Sequence, residues 1–387
     1  MLNSFSQHTL WRLPFRSCFL LAAIASSASL LIWIALLNGW IQVSTGTLSP
    51  SLWHAHEMLF GFGATVVVGF ILTAVQTWTG EKSMHGKPVI LLTVLWLLSR
   101  TFIWLNQDLT IMLAVVSQAC WWLLSIVWFA RLVIRTANRR NYLFIPLLSV
   151  LASVNLIVLI ASLLEHQDIA LHLARSCVLL FTLVMGIVGG RVIPFFTVRG
   201  ANTDPVTPAL FVERLLLPVA ISGITVFIVG YFIALPFTPA ALMISAGLLH
   251  LLRMTRWKGL KTISVPLLWS LHIAYGFMAL GLITLGLSYL PVAILSFSNA
   301  LHLITVGAMG LMILSMMSRV SLGHTGRPLV VKPVITFALL LMVVTTLIRV
   351  VLPQLGFPLA GWTISALLWA ICGLAFVTIY TPILLKS

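Results

Sequence analysis

Residues 54–79 read HAHEMLFGFGATVVVGFILTAVQTWT, and Glu57 is the only Asp, Glu, Lys or Arg among them. An α-helix rises about 1.5 Å per residue, so about 20 apolar residues in a row cross the hydrocarbon core of a bilayer. The stretch therefore predicts a membrane-spanning helix that carries two histidines and a carboxylate at its start.

The same pattern recurs along the whole chain. Hydrophobic residues make up 60% of the sequence and charged residues 7%, against about 25% charged in soluble domains. We predict an all-α, polytopic integral membrane protein, one membrane domain over residues 1–387. The expected spans are about twelve: 17–41, 54–79, 88–106, 109–130, 142–164, 169–197, 212–234, 236–252, 264–289, 293–318, 333–352 and 359–385.

The basic residues predict the orientation. The net charge is +15, which in a membrane protein indicates loops beside anionic lipid and the cytoplasm, with no nucleic-acid partner. If both termini are cytoplasmic, only Arg100, Arg175 and Arg349 lie toward the outer side, inside spans. The acidic residues expected on that side are Glu57, Asp108, Glu165 and Asp168. This favours an orientation with both termini in the cytoplasm.

Three spans resemble one another. The sixth contains Ala170-Leu171-His172-Leu173 and the tenth Ala300-Leu301-His302-Leu303, and both end on Arg-Val followed by Thr and Arg at equal offsets. The second places His56 as far from Thr79 as His302 is from Thr325. We predict a threefold repeat of four-helix units, with boundaries at 1–141, 142–263 and 264–387.

Histidines inside spans are the main candidates for chemistry, because a polar group in lipid needs a partner. We expect His54, His56, His172 and His302 to be ligands, and Met58 and His272 to be weaker candidates. Imidazole suits copper and haem iron, and methionine suits Cu(I). A buried histidine bonded to a carbonyl is the alternative for each. Histidines beside the expected cytoplasmic loops are interpreted as solvated: His8, His85, His250 and His324.

The three outer arginines allow two interpretations. Arg100, Arg175 and Arg349 could bind the propionates of a haem, because a guanidinium holds a carboxylate with two parallel hydrogen bonds. They could equally pair with the acidic residues of the same side. Separately, the four cysteines occur singly within apolar runs, so the sequence contains neither a disulfide framework nor a C-x-x-C metal motif.

Three motifs together resemble the NnrS family over essentially the whole chain. They are HAHEMLFGF at 54–62, GGRVIPFFT at 189–197, and ALHL at 300–303 continuing to MSRV at 317–320. The resemblance implies a bacterial inner-membrane protein that contains haem, which we expect to be b-type, and copper. It also implies a role in denitrification and in the response to nitric oxide and nitrosative stress.

Two classes of function follow. The first is a haem and copper protein that binds or turns over nitric oxide at a His-rich site in the outer half of the membrane. The second is a transporter or channel, in which the polar residues line a path for a small solute or anion. The sequence contains no phosphate-binding loop and no H-E-x-x-H motif, which disfavours an ATP-driven machine.

The orientation gives a first testable prediction. An alkaline phosphatase reporter fused after Arg140 should stay inactive, because that loop is expected in the cytoplasm, where the enzyme does not fold. The same reporter fused after His166 should be active. Activity in the first fusion and not in the second would reverse the orientation.

Overall fold

The computed structural model describes residues 7–41 and 46–386. It contains twelve helices, with short 3₁₀ turns at Thr9–Trp11, Arg139–Asn141, Thr255–Trp257 and Gly259–Thr262. The helices are α1 (Pro14–Leu37), α2 (Pro50–Thr79), α3 (Lys87–Leu105), α4 (Asp108–Arg135), α5 (Phe144–Leu163), α6 (Gln167–Gly200), α7 (Leu210–Phe232), α8 (Ala240–Met254), α9 (Pro266–Leu287), α10 (Phe297–Gly323), α11 (Pro333–Gln354) and α12 (Pro358–Leu385).

The all-α, polytopic fold class predicted from the sequence is confirmed. Within the described ranges no strand forms, and eleven of the twelve helices are long and apolar enough to cross a membrane. The exception is α8, whose 15 residues span about 22 Å at 1.5 Å per residue. It starts later than the sequence suggested because Pro239 is its N-cap.

Two helices begin earlier than the sequence predicted. Helix α2 begins at Pro50 rather than at His54, and α1 begins at Pro14 rather than at residue 17. A proline fits the first turn because its missing N–H has no partner there in any helix. His54 and His56 are therefore inside α2 and not at its mouth.

The chain forms two compact units. Unit 1 comprises Met1–Ala174, Arg319–Pro328 and Gly373–Ser387, and unit 2 comprises Arg175–Ser318 and Leu329–Cys372. In unit 1, α1 packs on α2 and α4 packs on α2, α3 and α5. In unit 2, α8 lies between α7 and α9, and α10 packs on α9 and α11. The predicted repeat of three units remains a prediction.

Apolar faces point outward along the helices, as a lipid environment requires. On α4, one stripe of large aliphatic side chains is more than half exposed along nearly the whole helix: Leu109, Val116, Leu123, Val127 and Ile134. Their spacing of seven or four residues keeps them on one helix face. The bilayer is therefore the partner of this surface.

The loop before α2 is held by two amide side chains. Asn106 caps the end of α3, and its side chain accepts from Leu48 N at 2.8 Å and donates to Leu48 O at 2.9 Å. Gln167 at the start of α6 accepts from Ser49 N at 3.3 Å and donates to Thr47 O at 2.7 Å. These bonds fix where α2 starts and therefore the positions of its histidines.

Both α2 and α10 change to a π-helix immediately after a histidine. Residues Glu57–Ala64 follow His56, and residues Leu303–Gly310 follow His302. Each π segment has eight residues, and each has a glycine five residues after the histidine, Gly61 and Gly307. Helix α6 is α-helical throughout 167–200. The likeness of α2 and α10 thus extends to backbone geometry, while α6 shares only the sequence pattern.

The Asn106 contacts predict a measurable loss of stability. Asn106 has a φ of 52°, a left-handed conformation that costs other L-residues about 1–2 kcal/mol. Asn106→Ala should therefore lower the free energy of unfolding by about 2–4 kcal/mol through that strain and two lost hydrogen bonds. Asn106→Gly, which tolerates the backbone, should lose less. Thermal unfolding in detergent compares the two variants. Equal losses of stability would contradict a contribution from the left-handed backbone at Asn106.

Candidate functional site

A buried ion pair lies beside the first histidines of α2. Arg100 of α3 donates to Glu57 through Nη1, and Trp104 Nε1 donates to the other Glu57 oxygen at 2.7 Å. Glu57 is 1% exposed and Arg100 5%. The Arg100 guanidinium also lies 5.8 Å from the centre of the Trp96 ring. Arg100 therefore has its counter-ion within unit 1, as the second interpretation of the sequence expected.

His56 belongs to the same group of side chains. It is fully buried, with Nδ1 3.5 Å from Glu57 Oε1 and Nε2 3.1 Å from Asn155 Nδ2 of α5. The amide N–H of Asn155 donates to Nε2, which leaves the ring proton on Nδ1. Both ring nitrogens thus face protein groups, and a metal ion at Nε2 would have to displace Asn155. We call His56, Glu57, Arg100, Trp104 and Asn155 the Glu57 cluster.

The other candidates of unit 1 have different surroundings. His54 is half-buried and stacks on Trp33 of α1, with ring centres 4.5 Å apart and planes 14° apart. Met58 is half-buried, and His172 is buried in the second turn of α6. His54 is therefore held by an aromatic stack rather than by the Glu57 cluster.

In unit 2, His302 has a defined tautomer. Its Nδ1 lies 2.7 Å from the carbonyl oxygen of Ser298, one turn earlier in α10. A carbonyl only accepts, so Nδ1 carries the proton and Nε2 is the acceptor nitrogen. Metal-bound histidines usually donate their second N–H to a carbonyl or carboxylate in this way. His302 thus makes the carbonyl bond of the alternative interpretation, and the same bond leaves Nε2 as the nitrogen that a ligand role would use.

Arg349 lies beside the same turn of α10. Its Nη1 donates to Asn299 Oδ1 at 3.1 Å, and its guanidinium is 5.8 Å from the centre of the Trp362 ring. Asn299 Nδ2 donates to Gln354 Oε1 at 3.1 Å, and Gln354 Nε2 donates to Ile294 O at 3.2 Å. We call Asn299, Arg349, Gln354 and Trp362 the Arg349 group. It holds the loop before α10 much as Asn106 holds the loop before α2.

Arg175 is the most exposed of the three outer arginines. It lies 5.5 Å from the centre of the Phe297 ring, at the first residue of α10. Tyr289, in the loop between α9 and α10, also packs against Phe297. Burial raises the pKa of Tyr289 to about 12, and the positive charge of Arg175 opposes part of the rise. Arg175 therefore places positive charge beside the start of α10.

His272 lies far from His302 along the helices. It is in the second turn of α9, whereas His302 is in the second turn of the antiparallel α10. Its Nδ1 lies 2.9 Å from Leu268 O, and its Nε2 lies 3.5 Å from Thr197 Oγ1 near the end of α6. The sequence interpretation grouped His272 with the outer histidines. The structure places it at the other end of unit 2.

The sequence analysis missed a second, partly buried polar cluster at that end of unit 2. Arg253 donates to both Glu213 oxygens at 2.6 and 2.5 Å and to Gly186 O at 2.9 Å. His250 Nδ1 lies 2.6 Å from the Tyr275 hydroxyl, and Arg253 reaches the same hydroxyl at 3.3 Å. The sequence interpretation of His250 as solvated was wrong, because it is 2% exposed. We call Glu213, His250, Arg253 and Tyr275 the Arg253 cluster.

Glycines of α6 make room for the Arg253 cluster. A Cβ atom at Gly190 would collide with the Arg253 guanidinium, and one at Gly186 would lie 2.9 Å from the His250 ring. In the sequence, the Gly189-Gly190 pair indicated a close approach at this point of α6. It did not show that Arg253 and His250 are the side chains that approach. The cluster's polar atoms bond mostly to one another, which suits a structural link between α6, α7, α8 and α9.

The expected metal ligands do not form a ready-made cage. Across residues 7–41 and 46–386, no group of three or more His, Cys, Asp and Glu side chains is arranged to hold a metal ion. The copper prediction therefore has no ligand set assigned by geometry. A haem iron needs only one or two axial ligands from the protein, and His302 has the orientation of one. The residues present fit haem better than a three-histidine copper site.

The family model described as "NnrS protein" matches residues 9–387. The chain belongs to the NnrS family. No curated protein matches the chain. The family match covers both π segments, the Glu57 cluster and the Arg349 group, so these features all lie within the NnrS-like region.

The Glu57 cluster predicts strong energetic coupling. Glu57→Gln and Arg100→Gln should each lower the free energy of unfolding by about 3–5 kcal/mol, because each leaves a buried charge unpaired. The double variant should lose much less than the sum. The exposed pair Glu81 and Arg135, 3.2 Å apart, is the matched control.

Double-mutant cycles measured by unfolding in detergent separate the two pairs. The control pair should show a coupling below about 1 kcal/mol, as exposed ion pairs do. Coupling of the buried pair no larger than that of the control would refute the assigned role of the Glu57–Arg100 bond.

Proposed function

We propose that this NnrS-family chain is a haem- and copper-binding inner-membrane protein of the response to nitric oxide and nitrosative stress. It binds or turns over nitric oxide at a His-rich site in the outer half of the membrane, and both termini face the cytoplasm. Family membership and the membrane-helical fold support the proposal. The role in denitrification comes from the family resemblance.

The observation that carries the proposal is the π segment that follows His302. A π-helix makes i→i+5 hydrogen bonds in place of the i→i+4 bonds of an α-helix, is rare, and occurs frequently at functional sites. Here it starts directly after a histidine whose Nδ1–H is held by the carbonyl of Ser298. The helix changes from α to π between His302 and Leu303, so His302 is the last residue of the first α-helical turns of α10. We therefore assign His302 as the first protein ligand of the haem iron.

The protein's own residues have three tasks in this account. The carbonyl of Ser298 keeps the proton on Nδ1, so that Nε2 can bind iron. The apolar side chains of α9 and α10 exclude water, and they let an apolar diatomic such as nitric oxide arrive through the lipid. When bound, a haem held by His302 would supply the iron that binds nitric oxide. The copper part of the proposal rests on the family resemblance alone, and His54, His56, Met58 and His172 remain its candidates from the sequence.

Cofactor analysis of purified variants tests the proposal. The wild-type protein should show a Soret band, a b-type pyridine haemochrome and stoichiometric copper. His302→Ala should lose most of its haem, because its axial ligand is gone. His85→Ala removes an exposed loop histidine and should retain the wild-type content. Nitric oxide should shift the Soret band of the reduced wild-type protein.

Two results would contradict the proposal. Wild-type protein with neither a Soret band nor copper would favour the transporter or channel. Unchanged haem in His302→Ala, with the variant still folded in the membrane, would leave the cofactor in place but remove His302 as its ligand.

A further inference from the structure

The structure separates the outer arginines by their partners. Arg100 is buried and bonded to the Glu57 carboxylate, so its charge is balanced within unit 1. Arg349 is also buried, at 8% exposed, but its bonded partner is the neutral amide of Asn299. The sequence alone gave these two arginines the same interpretation. The contacts give them different roles.

Unit 2 has no carboxylate to balance Arg349. Its only acidic residues are Asp204 and Glu213, and all residues of unit 2 are described. Asp204 pairs with Lys258 at 2.9 Å, and Glu213 pairs with Arg253. Arg349 thus carries a buried positive charge that the acidic side chains of its own unit do not match. Such charges in membrane helices mark ligand or ion sites by default.

We propose that Arg349 binds a carboxylate of the ligand held by His302, which under the proposed function is a propionate of haem. A guanidinium offers two parallel N–H donors to a carboxylate, and the Arg349 side chain uses one nitrogen for Asn299. The inference rests on the proposed function but adds the means by which the porphyrin edge is recognised.

The position of Asn299 supports this pairing. Asn299 and His302 are three residues apart in the α-helical first turns of α10, and residues at that spacing lie on one helix face about 5–6 Å apart. The guanidinium bonded to Asn299 is therefore beside the face that presents His302. One rigid ligand with a metal centre and a peripheral carboxylate matches this arrangement, and Arg175 adds positive charge at the same end of α10.

The experiment compares two porphyrins that differ only in the carboxylates. Haem-depleted full-length protein in detergent is titrated with haemin and with haemin dimethyl ester, and binding is followed by tryptophan quenching and the Soret band. Wild type should bind haemin at least about tenfold more tightly than the ester, as expected for one charge-assisted contact. Arg349→Gln should remove the preference, and Arg349→Lys should keep part of it.

A control and a second readout distinguish binding from folding. Arg214→Gln removes an exposed arginine of α7 and should preserve the wild-type preference. Without haem, Arg349→Gln should unfold at a temperature no lower than wild type, because it removes an unbalanced buried charge. Arg100→Gln should unfold at a clearly lower temperature, because it leaves Glu57 without its cation.

The outcomes separate this inference from the proposed function. Haemin binding with an undiminished preference in Arg349→Gln would overturn the role of Arg349 and leave the haem proposal standing. A thermal loss in Arg349→Gln as large as that in Arg100→Gln would make Arg349 structural. If wild type binds neither porphyrin, the proposed function fails, and the carboxylate assignment fails with it.

Discussion

The absence of water in the hydrocarbon core governs this structure. Each buried polar group must find its partner within the chain or in a ligand, because lipid offers none. In the Glu57 cluster and the Arg253 cluster, the charged side chains find their counter-ions among protein groups. Each joins several helices: α2, α3 and α5 in unit 1, and α6, α7, α8 and α9 in unit 2. These polar contacts select which helices pack together, a choice that apolar surfaces cannot make.

In the Arg349 group, by contrast, no carboxylate of unit 2 balances the buried positive charge. Its hydrogen bonds are made with neutral side chains, and the carboxylates of its unit are used elsewhere. A buried cation of this kind is costly unless a ligand supplies the missing negative charge. The adjacent histidine has its tautomer set by a backbone carbonyl, and the π segment begins at the next residue. The unbalanced charge of Arg349, the fixed tautomer of His302 and the start of the π segment thus lie at or beside the same two turns of α10.

The sequence predicted the helices well and the contacts between them poorly. Long apolar runs define α2, α6 and α10 without ambiguity, and prolines explain where the predicted starts were late. The π segments could not be read because nearly every residue in them is apolar or glycine, so the sequence shows no periodicity that distinguishes a π-helix from an α-helix. Asn155 and Tyr275 were missed because their roles depend on His56 and His250 from other helices. The sequence offered Glu57 as one of four acidic partners for the outer arginines, but it could not show that Arg100 pairs with Glu57 and that Arg349 bonds to Asn299.

The central claim is that His302 holds the iron of a haem in unit 2. The most direct measurement is a crystal structure of the purified protein with anomalous scattering recorded at the iron edge. The account predicts an iron peak beside Nε2 of His302, with porphyrin density whose carboxylate edge meets Arg349. An iron peak against His56 with Asn155 displaced, or a fully loaded protein with no iron near α10, would contradict it.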